Sequence, residues 1–317
     1  MSASVPRVAI LGGTGFVGRN LQDTLKSSGM TVEVFSRRTG FDVLQPQAAL
    51  AKLQAFKPTY VVNCAALAGS VNFVRTYAAD VVDMNMRLLL EVFKIMQQLP
   101  DAILINPIAS CAYPGEHEIY EEPRFWEGPI HPSVLSYGST RRMMWVLSQC
   151  YAAQHKVRSS NLYVPSIYGP YEGTDPEKTH ALNALVIKFI RATKQRLLSV
   201  EIWGTGKPVR EWLYVKDCAE VIRRVIEAHQ QQGWSPRWLD PVNIGQRRGN
   251  SVREIVDLIR ESIGYKGDIV YNTTYEDGAM IKIMDNRLFQ QTFPGFVFTP
   301  LDRGLAETIR YYQEIAE

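Results

Sequence analysis

The chain has 317 residues, 46% hydrophobic and 21% charged, the composition of a globular protein with material for about two domains. Its net charge of +3 is too mild to point to nucleic acid, though it suits an anionic small substrate. No apolar run approaches the ~18–20 residues of a membrane helix, so neither a nucleic-acid nor a membrane partner is expected.

MSASVPR leads straight into an apolar run and leaves no room for a signal peptide, so a cytoplasmic protein is expected. Residues 8–11, VAIL, predict a strand that stops at a glycine-dense turn. A helix follows, with Phe16, Val17, Leu21 and Leu25 able to share a face. Gly12, Gly15 and Gly18 form G-x-x-G-x-x-G, close to the dinucleotide fingerprint. Such glycines serve a tight turn, close approach to a pyrophosphate and close helix packing, and the helix N-terminus attracts the anion. Gly12, Thr14, Gly15, Phe16, Val17 and Gly18 are therefore candidate cofactor contacts.

Residues 31–35, TVEVF, predict a second strand, followed by Arg37 and Arg38. This position carries an acid where NAD binds, and arginine where the 2′-phosphate of NADP binds. With no strand-end acid here, NADP(H) is the expected cofactor, although two solvated loop arginines would also explain the charges. Asp42 and Val43 open a segment that could cover the adenine. A helix over 46–57 and a strand over 60–64 come next. Ala65, Ala66 and Leu67 at the end of that strand are small or apolar and suit backbone close to a cofactor.

Helical spacing covers 76–99, a strand 102–105, and a helix 140–151 after a Pro/Glu-rich loop at 114–133. This alternation implies an α/β fold, a doubly wound, mostly parallel sheet of the Rossmann type. Beyond about residue 165 the texture changes to turn-rich loops at 168–176, 203–206 and 275–278. A strand is expected over 210–215, Asp217 as the cap of a helix over 218–228, and Ser251 with Glu254 as a capping box. These pieces suggest a smaller C-terminal mixed α/β substrate domain. The expected division gives 1–166, rejoined by 207–245, to the cofactor and 167–206 with 246–317 to the substrate. Cys64, Cys111, Cys150 and Cys218 show no C-x-x-C or metal-ligand spacing. No metal is expected, and three of these cysteines read as buried thiols.

The motifs LGGTGFVG, AALAGSV, SCAYP, YGP at 168–170, WGTGKPVREWLYVKD at 203–217, VNIG and the EDG turn resemble the extended short-chain dehydrogenase/reductase family. Within it, the likeness is to members that epimerise and reduce GDP-4-keto-6-deoxy-hexoses, and it covers nearly the whole chain. It implies an NADP(H)-dependent enzyme on a nucleotide-activated sugar, and a homodimer built on helices near 76–99 and 137–154. Tyr137 takes the general-acid position of the reductase step. Arg141 stands where a lysine normally lies, and Ala109 where a serine or threonine normally binds the carbonyl oxygen, with Ser110 adjacent. Cys111 and His180 take the positions that move protons beside a ketone. Val164 and Ile167 are implied at the cofactor. Lys188, Trp203, Arg210, Asp277 and Lys282 are implied at the substrate.

The proton-moving pair is thus complete while the hydride step lacks a donor. A cofactor-binding relative without hydride chemistry, acting as partner subunit or sensor, and an enzyme on a different ketone are the alternative readings.

Overall fold

The structure, a computed structural model, describes residues 5–175, 177–275 and 277–315. Pro176 and Glu276, in two of the turn-rich loops, lie outside the described residues, as do residues 1–4 ahead of the first strand.

Strand β1 (Arg7–Leu11) enters the glycine turn and α1 (Phe16–Ser27) leaves it. β2 (Thr31–Phe35), α2 (Pro46–Phe56) and β3 (Tyr60–Asn63) follow as predicted, within a residue at their ends. The helix expected over 76–99 is α4 (Ala78–Gln97), and a short helix not expected from the sequence, α3 (Val71–Thr76), precedes it across Tyr77. Ser70 caps α3, its hydroxyl accepting the Phe73 N–H at 3.1 Å. β4 (Ile103–Ala109) is followed by β5 (Ile119–Tyr120), which lies inside the region predicted as loop. α5 (Leu135–His155) begins five residues before the expected 140–151 helix and so carries Tyr137 in its first turn. Its early turns bury Ser136, Gly138, Thr140 and Arg141, which a search for apolar spacing does not register.

The second half contains β6 (Arg158–Val164), β7 (Ser166–Tyr168), α6 (Ala181–Lys194) and β8 (Ser199–Trp203). The strand expected over 210–215 is split into β9 (Val209–Arg210) and β10 (Trp212–Tyr214). α7 (Val215–Gln232) starts earlier than expected, so Asp217 is inside its first turn and does not cap it. Its carboxylate instead accepts the Thr299 N–H (2.8 Å) and hydroxyl (2.7 Å). Then come β11 (Val242–Asn243), β12 (Asn250–Ser251) and α8 (Val252–Ile263), where the Ser251–Glu254 capping box is formed. β13 (Asp268–Asn272), β14 (Ile281–Met284), α9 (Arg287–Thr292) and α10 (Leu301–Ile315) complete the chain.

The central sheet is parallel, in the order β11-β6-β4-β3-β1-β2. Helices cover both faces: Leu53, Leu89, Phe93 and Met144 of α2, α4 and α5 pack on one. Leu21 and Leu25 of α1 with Val221 and Val225 of α7 pack on the other. This is the doubly wound α/β architecture. A further core joins α6, α8 and α10 with β8 and β10. Of the four cysteines only Cys218 is fully buried; Cys64 and Cys111 are half-buried and Cys150 is exposed. Cys64 follows β3 and Cys111 sits in the turn after β4, where the apolar run that suggests burial has already ended. Among the described residues no helix is long and apolar enough to cross a membrane.

Glu211 explains the split strand. Almost wholly buried, its carboxylate accepts the N–H of Met284 (2.8 Å) and of Gln246. β9 can therefore pair with β14 while β10 pairs with β7. Glu211→Ala should strand these donors and lower stability by about 2–5 kcal/mol, read as a shift in the urea midpoint; an unchanged midpoint would refute the assignment. Burial pushes the Glu211 carboxyl up to about 7 against the N–H bonds that pull it down. With a raised folded pKa, its contribution is fully present below the ordinary value of 4.5 and declines as pH rises through 7. The alanine variant should lack that decline.

Candidate active site

Parallel, in-register strands bring their carboxyl ends to one edge. Leu11 lies beside both Phe35 and Asn63, and Ala109 beside Val164. β1 has β2 on one side and β3 on the other, so the chain order reverses there and a crevice opens above the glycine turn.

Gly12 adopts φ +71°, and a Cβ on it would lie 2.8 Å from the Cys64 carbonyl carbon and oxygen. A Cβ on Gly18 would lie 2.5 Å from the Gly13 Cα. Both positions therefore exclude any side chain, keeping α1 against the strand and the turn open to a ligand. No side chain caps α1 and no acid occupies its first turn, which leaves the charge of the helix end to an anion. After β2, Arg37 and Arg38 stand exposed in a short turn that Ser36 and Thr39 close as a capping box. Asp42 accepts the Leu44 N–H at 3.0 Å and holds the next turn, with Val43 buried beneath it. A cradle without room for Cβ and two exposed arginines fit a dinucleotide with a 2′-phosphate.

Asn85, fully buried on α4, organises the far side of the crevice. Its side chain bonds both the N–H (3.1 Å) and the carbonyl (2.9 Å) of Leu67, fixing the loop after Ala65 and Ala66. The same Oδ1 accepts Nη2 of Arg141 at 2.9 Å. Arg141 is only 3% exposed, its guanidinium lies 4.9 Å from the centre of the Tyr137 ring, and its buried Nε has no partner among the described residues. An orphaned donor here suits a ribose hydroxyl. Burial pushes the Tyr137 phenol up, and the Arg141 charge opposes that rise. Asn85→Ala should loosen both the loop and Arg141, weakening NADPH binding by about tenfold or more, or ~1.4 kcal/mol. Equal affinity by calorimetry would show that Asn85 only fills space.

Cys111 follows β4 in the turn Ser110–Ala112. The strand ends at Ala109 and Ser110 begins the turn, so the side-to-side alternation of an extended strand does not carry through to Ser110. A Cβ on Gly138 would lie 2.5 Å from the Cys111 carbonyl oxygen, so only glycine lets α5 seat against this turn. Cys111, Tyr137 and Leu67 pack on one small apolar cluster with Phe73 and Ile130. Burial pushes the thiol up, countered by Lys282 and Arg141. Lys282 and Arg210 are paired neighbours on β14 and β9. Burial, then Arg210, pulls Lys282 down to about 8. Two cations side by side suit phosphate oxygens, and Asp277 is the carboxylate that acts on Arg210.

His180 enters from another element, just ahead of α6, with its ring 5.8 Å from that of Phe16. Lys188 of α6 donates to the Glu201 carbonyl at 2.5 Å and lies 5.7 Å from the Trp203 ring. Trp203, half exposed, stacks on Tyr275 at 4.4 Å and 12°. Asp277 accepts the Thr205 N–H at 2.9 Å and the Thr205 hydroxyl. Its carboxylate is thus committed to the chain, where it shapes the Trp203 loop. Val164 and Ile167 are buried in the core and can present only backbone to the crevice.

Residues 8–245 match the sequence profile described as the NAD dependent epimerase/dehydratase family. The chain belongs to that family. Its epimerase/dehydratase relatives include the GDP-L-fucose synthase of Escherichia coli (strain K12), 28% identical over 98% of each chain. The probable GDP-L-fucose synthase 1 of Oryza sativa subsp. japonica is 28% identical over 97% of this chain and 92% of its own. A crystal structure of a GDP-L-fucose synthetase from Naegleria fowleri bound to NADP superposes with a TM-score of 0.84 at 20% identity. It covers 100% of this chain and 97% of that one. Asn85 and Glu172, a neighbour of His180, were not singled out from the sequence. An asparagine within an apolar helical stripe is the one signal that could have found the first.

Proposed function

We propose that the chain is an NADP(H)-dependent enzyme that epimerises, and to a lesser extent reduces, a nucleotide-activated keto-sugar of the GDP-4-keto-6-deoxy-hexose type. The convergence of Cys111, Tyr137, Arg141 and the Lys282–Arg210 pair at one edge of the sheet carries this reading. The names of the E. coli and rice relatives supply the substrate class. Lys282 and Arg210 hold the diphosphate, and the exposed Trp203–Tyr275 stack offers a surface for the base. A ketone acidifies the C–H bonds beside it; Cys111 and His180 remove and return protons there, with ordinary pKa values on either side of neutrality. Tyr137 donates a proton to the carbonyl oxygen, and Arg141 supplies the cation that favours its phenolate. NADPH, held by the glycine turn, Arg37, Arg38 and Arg141, supplies hydride when bound. Ala109 offers no hydroxyl to the carbonyl oxygen, which leaves reduction the slower step. Pairing of α4 and α5 with a second copy would give a homodimer, and Val82 and Leu90 of α4 are exposed for it.

Incubation with GDP-4-keto-6-deoxymannose in D₂O should give deuterium beside the ketone without NADPH, read by mass spectrometry. No uptake from any keto-sugar nucleotide would overturn the assignment. Replacing Arg37 and Arg38 by alanine should weaken NADPH by at least about tenfold, ~1.4 kcal/mol, and leave NADH nearly unchanged. Calorimetry showing equal loss for both cofactors would refute the 2′-phosphate role.

A further inference from the structure

His180 is held by a carboxylate that has no other charged partner among the described residues. Glu172, 6% exposed, uses Oε1 to accept the backbone N–H of His180 at 2.9 Å and to meet Nδ1 of its ring. Oε2 accepts Nδ2 of Asn183 at 2.7 Å. Asn183 is itself locked to Gly169, bonding its N–H and its carbonyl at 3.0 Å each. Tyr312 of α10 donates to the Glu172 carbonyl at 3.1 Å. Both carboxylate oxygens and the backbone carbonyl of Glu172 are therefore fixed, and the imidazole inherits that position.

We propose that Glu172 is the positioning residue of the epimerase acid: it fixes His180 with Nδ1–H on the carboxylate and Nε2 available to the substrate. The inference rests on the proposed function for its catalytic meaning, though the pairing itself does not. A carboxylate on Nδ1 sets the tautomer and stabilises the imidazolium. Burial alone would pull His180 down, but the charge and hydrogen bond of Glu172 outweigh it and hold the group up.

The surroundings of His180 leave Glu172 as the charge that matters. From α1 the neighbour is the Phe16 ring, and from α6 it is the neutral Asn183. On its own loop Asp175 and Lys178 pair with each other at 3.7 Å. The loop is also tied to the crevice, because the Ser70 N–H donates to the Glu177 carbonyl at 2.8 Å. The acid is thus anchored to the segment that follows Ala65–Leu67.

The test uses Glu172→Gln and Glu172→Asp in the full chain, with two readouts. Histidine ring NMR titration, His180 assigned among the five histidines by difference from His180→Asn, needs no substrate. In Glu172→Gln the His180 midpoint should fall by at least about one pH unit, and Glu172→Asp should recover most of it. The pH profile of deuterium exchange should shift to lower pH by the same amount, with the rate at pH ~8 reduced about tenfold. An unmoved midpoint in a folded Glu172→Gln protein, or a uniform loss of rate at every pH, would overturn the positioning role. If the wild-type chain shows no exchange with any keto-sugar nucleotide, the proposed activity fails and the titration alone decides the pairing.

Discussion

Cys111→Ser should lower deuterium uptake beside the ketone by about 100-fold or more, since a positioned acid or base contributes ~10²–10⁴. A serine hydroxyl fills the same space but does not ionise near neutrality, so the proton has no acceptor. Burial already pushes the thiol up, and Lys282 and Arg141 are the cations that work against it. A diphosphate settling on Lys282 and Arg210 would weaken the help from Lys282, leaving Arg141 as the nearer aid to the thiolate. NADPH affinity should stay within about twofold, because the glycine turn and the two arginines lie on other strands. Undiminished exchange in this variant would remove Cys111 from the chemistry and leave it as a packing residue under Gly138.

The double replacement Ala109→Ser with Arg141→Lys should raise NADPH oxidation by at least about tenfold, given that one lost oxyanion donor typically costs ~10²–10³. Ala109 ends β4 beside Val164, on the strand that delivers Cys111, so a hydroxyl there would face the same ligand. Arg141 holds a charge near Tyr137, yet its fork is spent partly on Asn85 and its central carbon lies 4.9 Å from the centre of the phenol ring. A lysine point charge can approach ribose and phenol oxygen together, which the planar fork does not do equally well. Stopped-flow oxidation of NADPH with the keto-sugar would measure the gain. No gain, with exchange intact, would mean that the reductase step is limited elsewhere and that the two departures are neutral.

The sequence by itself determined the parallel sheet, the glycine turn and the arginines after β2. Each is a local pattern: an apolar run, three glycines at fixed spacing, charges at a strand end. The resemblance to the dehydrogenase/reductase family, not the residues by themselves, singled out Cys111, Tyr137, His180, Lys282 and Arg210. What joins them was decided only in the tertiary structure. Asn85 reaches Arg141 across 56 positions, and Glu211 joins Gln246 and Met284 from 35 and 73 positions away. Asn85 shows only as a polar residue within an apolar helical stripe, and neither sequence pattern names a partner, because a buried polar side chain is placed by the unsatisfied groups around it and those arrive from distant segments. The early start of α5 has the same cause. Its first turns bury small and polar residues whose partners lie on other elements, so packing, and not hydrophobic spacing, sets where Tyr137 sits.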